Sequence, residues 1–214
     1  PTLIGFNYSI NPSQMKSMYA THGETGSVWG VAWKSETNEL FSSAFVKQYS
    51  ALTSHGHGAI FKTKVNGNTG ATTLFANLAN LGVNIGTLPV TDANNCNYGH
   101  QVGKYGIGAI TLDATEEILY AVNLYNKSLV IIPTTNPSSA NTREIVIPNP
   151  NCSNGDYAPF GLKFHNDKLY ITVTCTEETG LNDVNSAAVV YEFNPLTNTF
   201  TNVFSTNYLK GHWS

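Results

Sequence analysis

Charged residues are scarce in this sequence. Asp, Glu, Lys and Arg make up 12% of its 214 residues, about half of the roughly 25% usual in soluble domains. Asn and Thr, with 25 and 24 occurrences, supply neutral polar surface instead. A net charge of -3 and an aromatic share of 11% do not fit an intrinsically disordered chain, which combines high net charge with low hydrophobicity. The composition therefore predicts a folded chain with a sizeable core.

Basic residues and long apolar runs are scarcer still. Arg143 is the one arginine beside 10 lysines, and the isoelectric point is near 6.1. No basic patch of the kind that binds nucleic acid is visible. No stretch approaches 18 apolar residues, and the first 14 residues lack the segments of a signal peptide. We expect no nucleic-acid partner and no membrane insertion. Because Met does not begin the sequence, we expect a processed or excised piece of a longer chain.

Cysteine occurs three times, at Cys96, Cys152 and Cys175. Three cysteines allow one disulfide and leave one thiol, and no Cys/His spacing typical of zinc is present. We expect one disulfide, formed in an oxidising compartment. Cys152 and Cys175 are the pair considered, with Cys96 as an alternative partner. Three free thiols or a catalytic cysteine are the other interpretations.

Helical periodicity is also missing. Runs rich in Val, Ile, Thr, Tyr and Phe are bounded by Gly, Asn and Pro, which is typical of strands. No window keeps a 3.6-residue period beyond about two turns. Three segments are ambiguous, at 14–19, 73–81 and 113–118. The sequence therefore predicts an all-β fold.

These strands repeat. Each copy has a glycine-bearing strand, a turn, a strand that opens with Leu and an aromatic residue, and two further strands. The first two strands of the copies are 29–33 and 40–45, 107–112 and 119–123, and 160–164 and 169–173. The third and fourth strands are 58–62 and 72–75, 128–132 and 143–147, and 187–192 and 199–204. A four-stranded antiparallel meander of this kind is a β-propeller blade, and the glycine allows close backbone approach near the axis.

The repeats predict one domain over 1–214 with three blades. We place them approximately at 28–80, 105–148 and 158–205, with an insertion between blades at 81–104. Propellers have four to eight blades, so we expect part of a larger ring, completed by further blades or by a neighbouring domain. Residues 2–9 could form the outermost strand of a last blade. A plain antiparallel sandwich is the alternative fold.

Several segments resemble known propellers. Residues 27–33, 40–49 and 56–61 are similar to the opening of propeller-like regions in large secreted bacterial cell-surface proteins. Residues 119–132 resemble the repeat of YVTN-type, NHL and lactonase-like propellers. The resemblance covers about 27–205, implies a secreted or cell-surface scaffold, and supplies no catalytic residues, because propellers host many unrelated activities.

Candidate binding residues fall in loops on the face where the inner strands begin. Long loops are often functional, and aromatic side chains pair an apolar body with a polar tip. The loops concerned are 47–57, 81–105 and 175–186. The candidate contact residues are Lys47, Tyr49, His55, His57, Tyr98, His100, Tyr105 and Tyr157. The alternative is that each tyrosine fills the top of its own blade.

Two metal sites are conceivable on these loops. The candidate side chains are His55 and His57, with His100 or alternatively His22, for Zn²⁺ or copper, and Glu177, Glu178 and Asp183 for Ca²⁺. Solvated loop residues are the alternative in both cases, and we expect no other cofactor. The inner strands offer apolar residues where a hydrolase would need carboxylates. We therefore expect a non-catalytic binding, adhesive or scaffold module that recognises a protein or glycan. A metal-dependent lactonase-type enzyme and a structural subunit of an extracellular assembly are the alternatives.

Overall fold

The computed structural model of the chain describes residues 1–6, 16–152, 156–176 and 187–207. Its regular structure is almost entirely β-strand, with one four-residue helix, α1 (His22–Thr25), and two 3-10 helices, Leu78–Leu81 and Cys96–Gln101. The strands are β1 (Leu3–Gly5), β2 (Ser17–Ala20), β3 (Val28–Lys34), β4 (Glu39–Ala44), β5 (Ala59–Asn66), β6 (Thr69–Asn77), β7 (Ile107–Leu112), β8 (Ile118–Asn123), β9 (Ser128–Pro133), β10 (Arg143–Val146), β11 (Tyr157–His165), β12 (Lys168–Cys175), β13 (Ala187–Asn194) and β14 (Thr199–Asn207). Among the described residues, no helix has the length and apolar character needed to cross a membrane.

Three antiparallel meanders organise these strands. The first blade contains β3 to β6, the second β7 to β10 and the third β11 to β14, each in sequential spatial order. The innermost strands lie side by side, because β3 contacts β7 and β7 contacts β11. Sheets that radiate from adjacent inner strands are propeller blades. The predicted all-β propeller with three four-stranded blades is confirmed.

The N-terminal residues extend the first blade. β1 and β2 form an antiparallel hairpin, and β2 pairs in parallel with β6, the outer strand of that blade. The prediction that residues 2–9 complete a last blade is wrong for Leu3–Gly5, and residues 7–9 lie outside the described residues. A strand-like sequence specifies strand formation but not the sheet edge that the strand joins, since every exposed edge offers the same backbone groups.

Each inner strand carries a β-bulge at the same place, where two of its residues oppose one residue of the second strand. The bulges lie between Val28 and Val31, between Ile107 and Ile110, and between Pro159 and Leu162. A bulge bends the strand and increases its twist. This register makes Trp29, Gly108 and Phe160 equivalent, so Gly108 stands one position earlier than the sequence alignment of the three glycines implies.

Glycine permits the inner strands to touch. A Cβ at Gly30 would lie 2.8 Å from the carbonyl oxygen of Gly108, and a Cβ at Gly108 would lie 2.9 Å from that of Phe160. The backbones of neighbouring blades therefore approach too closely for a side chain, as the repeat predicts. At Gly161 the three nearest atoms all belong to Thr172 of the same blade.

Two apolar clusters fill the seams between blades. One lies between the first and second blades and includes Phe41, Ile60 and Ile110. The other lies between the second and third blades and includes Tyr120, Leu129 and other buried side chains of both. Successive residues of β8 contribute alternately to the two clusters. Among the described residues, the second blade is thus packed on both faces, whereas the third is packed on one.

A disulfide joins Cys152, in the connection between β10 and β11, to Cys175 at the end of β12, with 5.3 Å between their Cα atoms. Cys96 is an exposed free thiol. The pair considered from the sequence is therefore the one that forms. It ties the entry of the third blade to its second strand, at the end of the blade where β11 begins.

Candidate binding site on the loop face

The two longest described connections lie on the same side of the blades. The connection between β4 and β5 spans 45–58, and the insertion between β6 and β7 spans 78–106. Both end at the side where the inner strands begin, which we call the loop face. The turns 35–38, 113–117 and 166–167 lie on the other side. The predicted loops 47–57 and 81–105 are on the loop face, and residues 177–186 of the third lie outside the described residues.

The three candidate zinc ligands do not come together. His57 is buried, and its Nε2 lies 3.0 Å from the carbonyl oxygen of Ile85. His55 is exposed with its ring edge towards Phe61, and His100 is exposed in the second 3-10 helix. In the described part of the chain, no three His, Cys, Asp or Glu side chains are placed to hold a metal ion. The Ca²⁺ candidates Glu177, Glu178 and Asp183 lie outside the described residues.

Tyr98 is a core residue of the insertion. It is 1% exposed and packs with Val46 and Ala93, and burial raises the pKa of its phenol. The buried side chain of Gln101 accepts a hydrogen bond from the Val90 N–H at 3.0 Å and donates one to the Val90 carbonyl at 2.9 Å. The insertion is thus a packed element, and Tyr98 is not available as a contact residue. The sequence leaves open that each tyrosine fills the top of its own blade, whereas Tyr98 is buried between the insertion and the connection that carries Val46.

Lys47 and Tyr49 are exposed on the neighbouring connection. Tyr49 is 75% exposed and has a φ of 62°, and its N–H donates to the Ala93 carbonyl at 2.9 Å. The backbone is therefore fixed to the insertion while both side chains face solvent. They lie apart from the pocket described next.

A pocket opens on the loop face where the second and third blades meet. Its volume is about 250 Å³, and Tyr105, Tyr125 and Tyr157 supply its aromatic walls. Its charged lining residues are Lys104, Lys127 and Asp156. Ligand pockets usually span about 300 to 1,000 Å³, so this one suits a single ring or side chain of a larger partner.

Two rings form one wall of the pocket. Tyr105 and Tyr125 stack with 5.3 Å between centroids and 28° between planes. The Tyr125 ring lies on Gly86, where an added Cβ would stand 2.5 Å from ring atoms. His57 meets Tyr105 edge-on at 6.2 Å. The insertion therefore supplies the Tyr105 ring and holds the Tyr125 ring in place.

The turn that carries Tyr125 and Lys127 is fixed by one carboxylate. Oε1 of Glu144, on β10, accepts hydrogen bonds from the side chains of Asn123 (3.2 Å), Asn126 (2.9 Å) and Ser128 (2.6 Å). Asn123 also donates to the Asn84 carbonyl of the insertion at 2.8 Å. These bonds link turn, outer strand and insertion, so the pocket wall is organised before any ligand binds.

The opposite wall belongs to the third blade. The Tyr157 hydroxyl donates to the Ile147 carbonyl at 3.0 Å, and the Lys127 ammonium stands 4.4 Å above its ring. Burial, followed by the nearby Tyr191, raises the pKa of the Tyr157 phenol. The phenol therefore stays neutral at neutral pH, keeps its hydrogen bond, and presents a ring face already occupied by a cation.

Two of the eight predicted contact residues, Tyr105 and Tyr157, line the pocket, and a third, His57, contacts Tyr105. Sequence reasoning missed Tyr125 and Lys127 because they occupy the short turn after β8, which reads as a connection. The signal available was an aromatic and a basic residue within four turn positions on the same face. Nothing local reveals that three distant loops meet there.

The fold and site define a β-propeller segment with an aromatic-walled pocket on its loop face. Such walls bind sugar rings or apolar side chains, and the charged rim can orient them. No protein-family model matches the sequence. Colossin-D of Dictyostelium discoideum is 30% identical over 193 residues, which cover 84% of this chain and 20% of Colossin-D. Colossin-C of the same organism is 26% identical over 235 residues, which cover 99% and 22%. The chain thus spans about a fifth of the length of these relatives.

Among solved structures, a putative 6-phosphogluconolactonase from Bacteroides uniformis aligns with a TM-score of 0.48 and 9% identity, covering 97% of this chain and 51% of that one. The propeller assignment here rests on the three blades themselves. The bacterial source that the resemblance implies has no support from the curated relatives named above, which come from Dictyostelium discoideum.

Proposed function

We propose that this chain is a non-catalytic recognition module of a secreted or cell-surface protein. It binds a protein or glycan partner through the loop face, with the pocket as the central contact. The observation that carries the proposal is the meeting of Tyr105, Tyr125 and Tyr157 around one cavity. Aromatic anchors in a preformed pocket are the usual centre of a binding surface.

Two further features support this function. The disulfide between Cys152 and Cys175 is typical of proteins that fold in oxidising compartments, which fits secretion or surface display. The pocket walls are held by hydrogen bonds and ring contacts within the chain, so little conformational entropy is lost when a partner binds. No observation on the described residues favours the hydrolase or the structural-subunit alternative.

A glycan microarray tests the proposal with the labelled chain as probe. We expect binding to a restricted set of glycans, because one small pocket selects one ring geometry. Tyr125→Ala removes a wall that is 41% exposed and should weaken binding about fivefold, since stacking against an aromatic ring is worth about 1 kcal/mol.

Tyr49→Ala is the matched control, because this tyrosine is exposed on the same face outside the pocket. It should leave binding unchanged. Equal loss in both variants would place the contact elsewhere on the face. An array without signal would redirect the proposal to protein partners, and turnover of lactone substrates would contradict the non-catalytic assignment.

A further inference from the structure

One face of the third blade repeats the contact surface that the other two blades bury. Equivalent residues, by strand register, are Phe41, Tyr120 and Tyr170; Ser43, Val122 and Thr172; and Ile60, Leu129 and Val190. In the first and second blades all six are at most 4% exposed, at the seam with the next blade. In the third blade Thr172 is exposed and the other two are half-buried. We call Tyr170, Thr172, Thr174, Val190 and Phe204 the open face.

The hydroxyl at the central position shows how a neighbour would bind. Ser43 Oγ accepts from the Gly30 N–H at 3.1 Å and reaches the Gly108 carbonyl of the second blade at 3.3 Å. Thr172 Oγ1 accepts from the Gly161 N–H at 2.8 Å in the same way. The second hydrogen bond of Ser43, to a carbonyl of the next blade, has no counterpart at Thr172 within the described residues.

The polar residues of the open face are compatible with its burial against another blade. Ser43 is fully buried at the first seam, and its hydrogen bond to the next backbone satisfies its hydroxyl. On the apolar side, Tyr120 stacks on Phe164 of the following inner strand at 6.1 Å. Tyr170 presents the equivalent ring, and Phe204, which pairs with Val190, is 55% exposed on the same face.

The rear of the first blade is occupied differently. Leu52 packs on Ala44, Ala59 and Phe61, and the Tyr19 backbone lies directly over Gly70. A second copy that stacked its first blade on the open face would have to displace these segments. The open face therefore fits a partner sheet whose own rear face is uncovered. That sheet needs a bulged inner strand that offers a backbone carbonyl to Thr172.

We propose that the open face is the docking site of a fourth blade of the same kind, supplied by the polypeptide that carries this sequence. Consecutive blades here stack in chain order, and similar sequence in the relatives lies within much longer chains. The Thr172 hydroxyl donates a hydrogen bond to a backbone carbonyl of the fourth blade's inner strand, and apolar residues of that blade cover Tyr170 and Val190. The inference is independent of binding at the loop face.

Thiol accessibility tests this docking. Thr172→Cys is introduced with Cys96→Ser, and maleimide labelling is followed in the 214-residue chain and in the polypeptide at its full natural length. Docking should slow labelling at position 172 at least about tenfold in the longer chain, because reaction then requires local opening. Leu196→Cys, in a turn of the same blade and 91% exposed at that position, should react equally in both. Val190→Cys replaces Thr172→Cys if the latter does not fold.

Equal labelling of position 172 in the two chains would overturn the proposal. Protection in the 214-residue chain that grows between about 2 and 200 µM, as mass action requires of a second copy, would overturn it as well. Protection confined to the longer chain and independent of concentration supports it.

Discussion

The second and third blades have the same four-stranded order and the same bulge, yet they differ in burial. Nearly every residue of β8 and β9 is buried, whereas β12 and β13 alternate between buried and accessible positions. Their sequences follow this difference, since Leu-Tyr-Ala-Val is continuous and apolar while Tyr-Ile-Thr-Val-Thr alternates. The blade with two neighbours takes its stability from both faces, and the blade with one neighbour relies on one face and a disulfide.

Truncation at equivalent seam positions should separate the two blades most strongly. Leu129→Ala empties a fully buried site of the second blade and should cost about 4 kcal/mol of unfolding free energy. Val190→Ala, at the equivalent half-buried site of the third blade, should cost less than about 1 kcal/mol. Urea denaturation measures both, and similar losses would contradict the difference in packing.

Loss of the disulfide should weaken the third blade more than the second. Cys152→Ala with Cys175→Ala opens a loop of 23 residues, which corresponds to about 3 kcal/mol in the chain-entropy account. In this double variant, the rate of amide hydrogen exchange should increase first in β11 and β12. Cys96→Ser is the control and should change nothing, while uniform loss of protection over all three blades would show that they unfold as one unit.

The inner-strand glycines provide a smaller contrast. Gly30→Ala brings a Cβ against the backbone of the second blade and should cost about 2 kcal/mol. Gly161→Ala meets only the Thr172 side chain among its nearest atoms and should cost less than about 1 kcal/mol. Thermal denaturation measures the stability lost in each variant, and a larger loss for Gly161→Ala than for Gly30→Ala would contradict this expectation.

The smallest effect is expected at the turn that joins the first two blades. Glu116 accepts hydrogen bonds from Ser35 Oγ at 2.7 Å and from the Glu36 N–H at 3.2 Å, and the Ser35 bond chiefly lowers its pKa. A lowered pKa stabilises the fold above the unfolded value of about 4.3, and this contribution is lost as pH falls through the folded value. Glu116→Gln should cost a few tenths of a kcal/mol at pH 7. Denaturation at pH 7 and pH 3 measures the difference in unfolding free energy between the unmodified chain and this variant, and we expect it to be smaller at pH 3. An equal difference at both pH values would contradict a contribution from the ionised carboxylate.

Much of the fold could be predicted from the order of residues. All twelve blade strands and the hairpin turns follow from local patterns that repeat. The candidate site was harder to predict. Tyr98 and Tyr49 look alike in sequence, but one is the centre of a packed insertion and the other faces solvent, because burial depends on which distant segments fold over a residue.

The sequence by itself determined the repeat, since strand propensity, turn residues and small inner residues act within a few positions of one another. It also limited the chain to one internal disulfide, because three cysteines form at most one pair. Only the tertiary structure decided that β1 joins the first blade, that Gly108 is offset within its bulge, and that Tyr105, Tyr125 and Tyr157 share a pocket. Those outcomes depend on contacts between segments far apart in the chain, and the free energies that select among them appear only when the segments pack together.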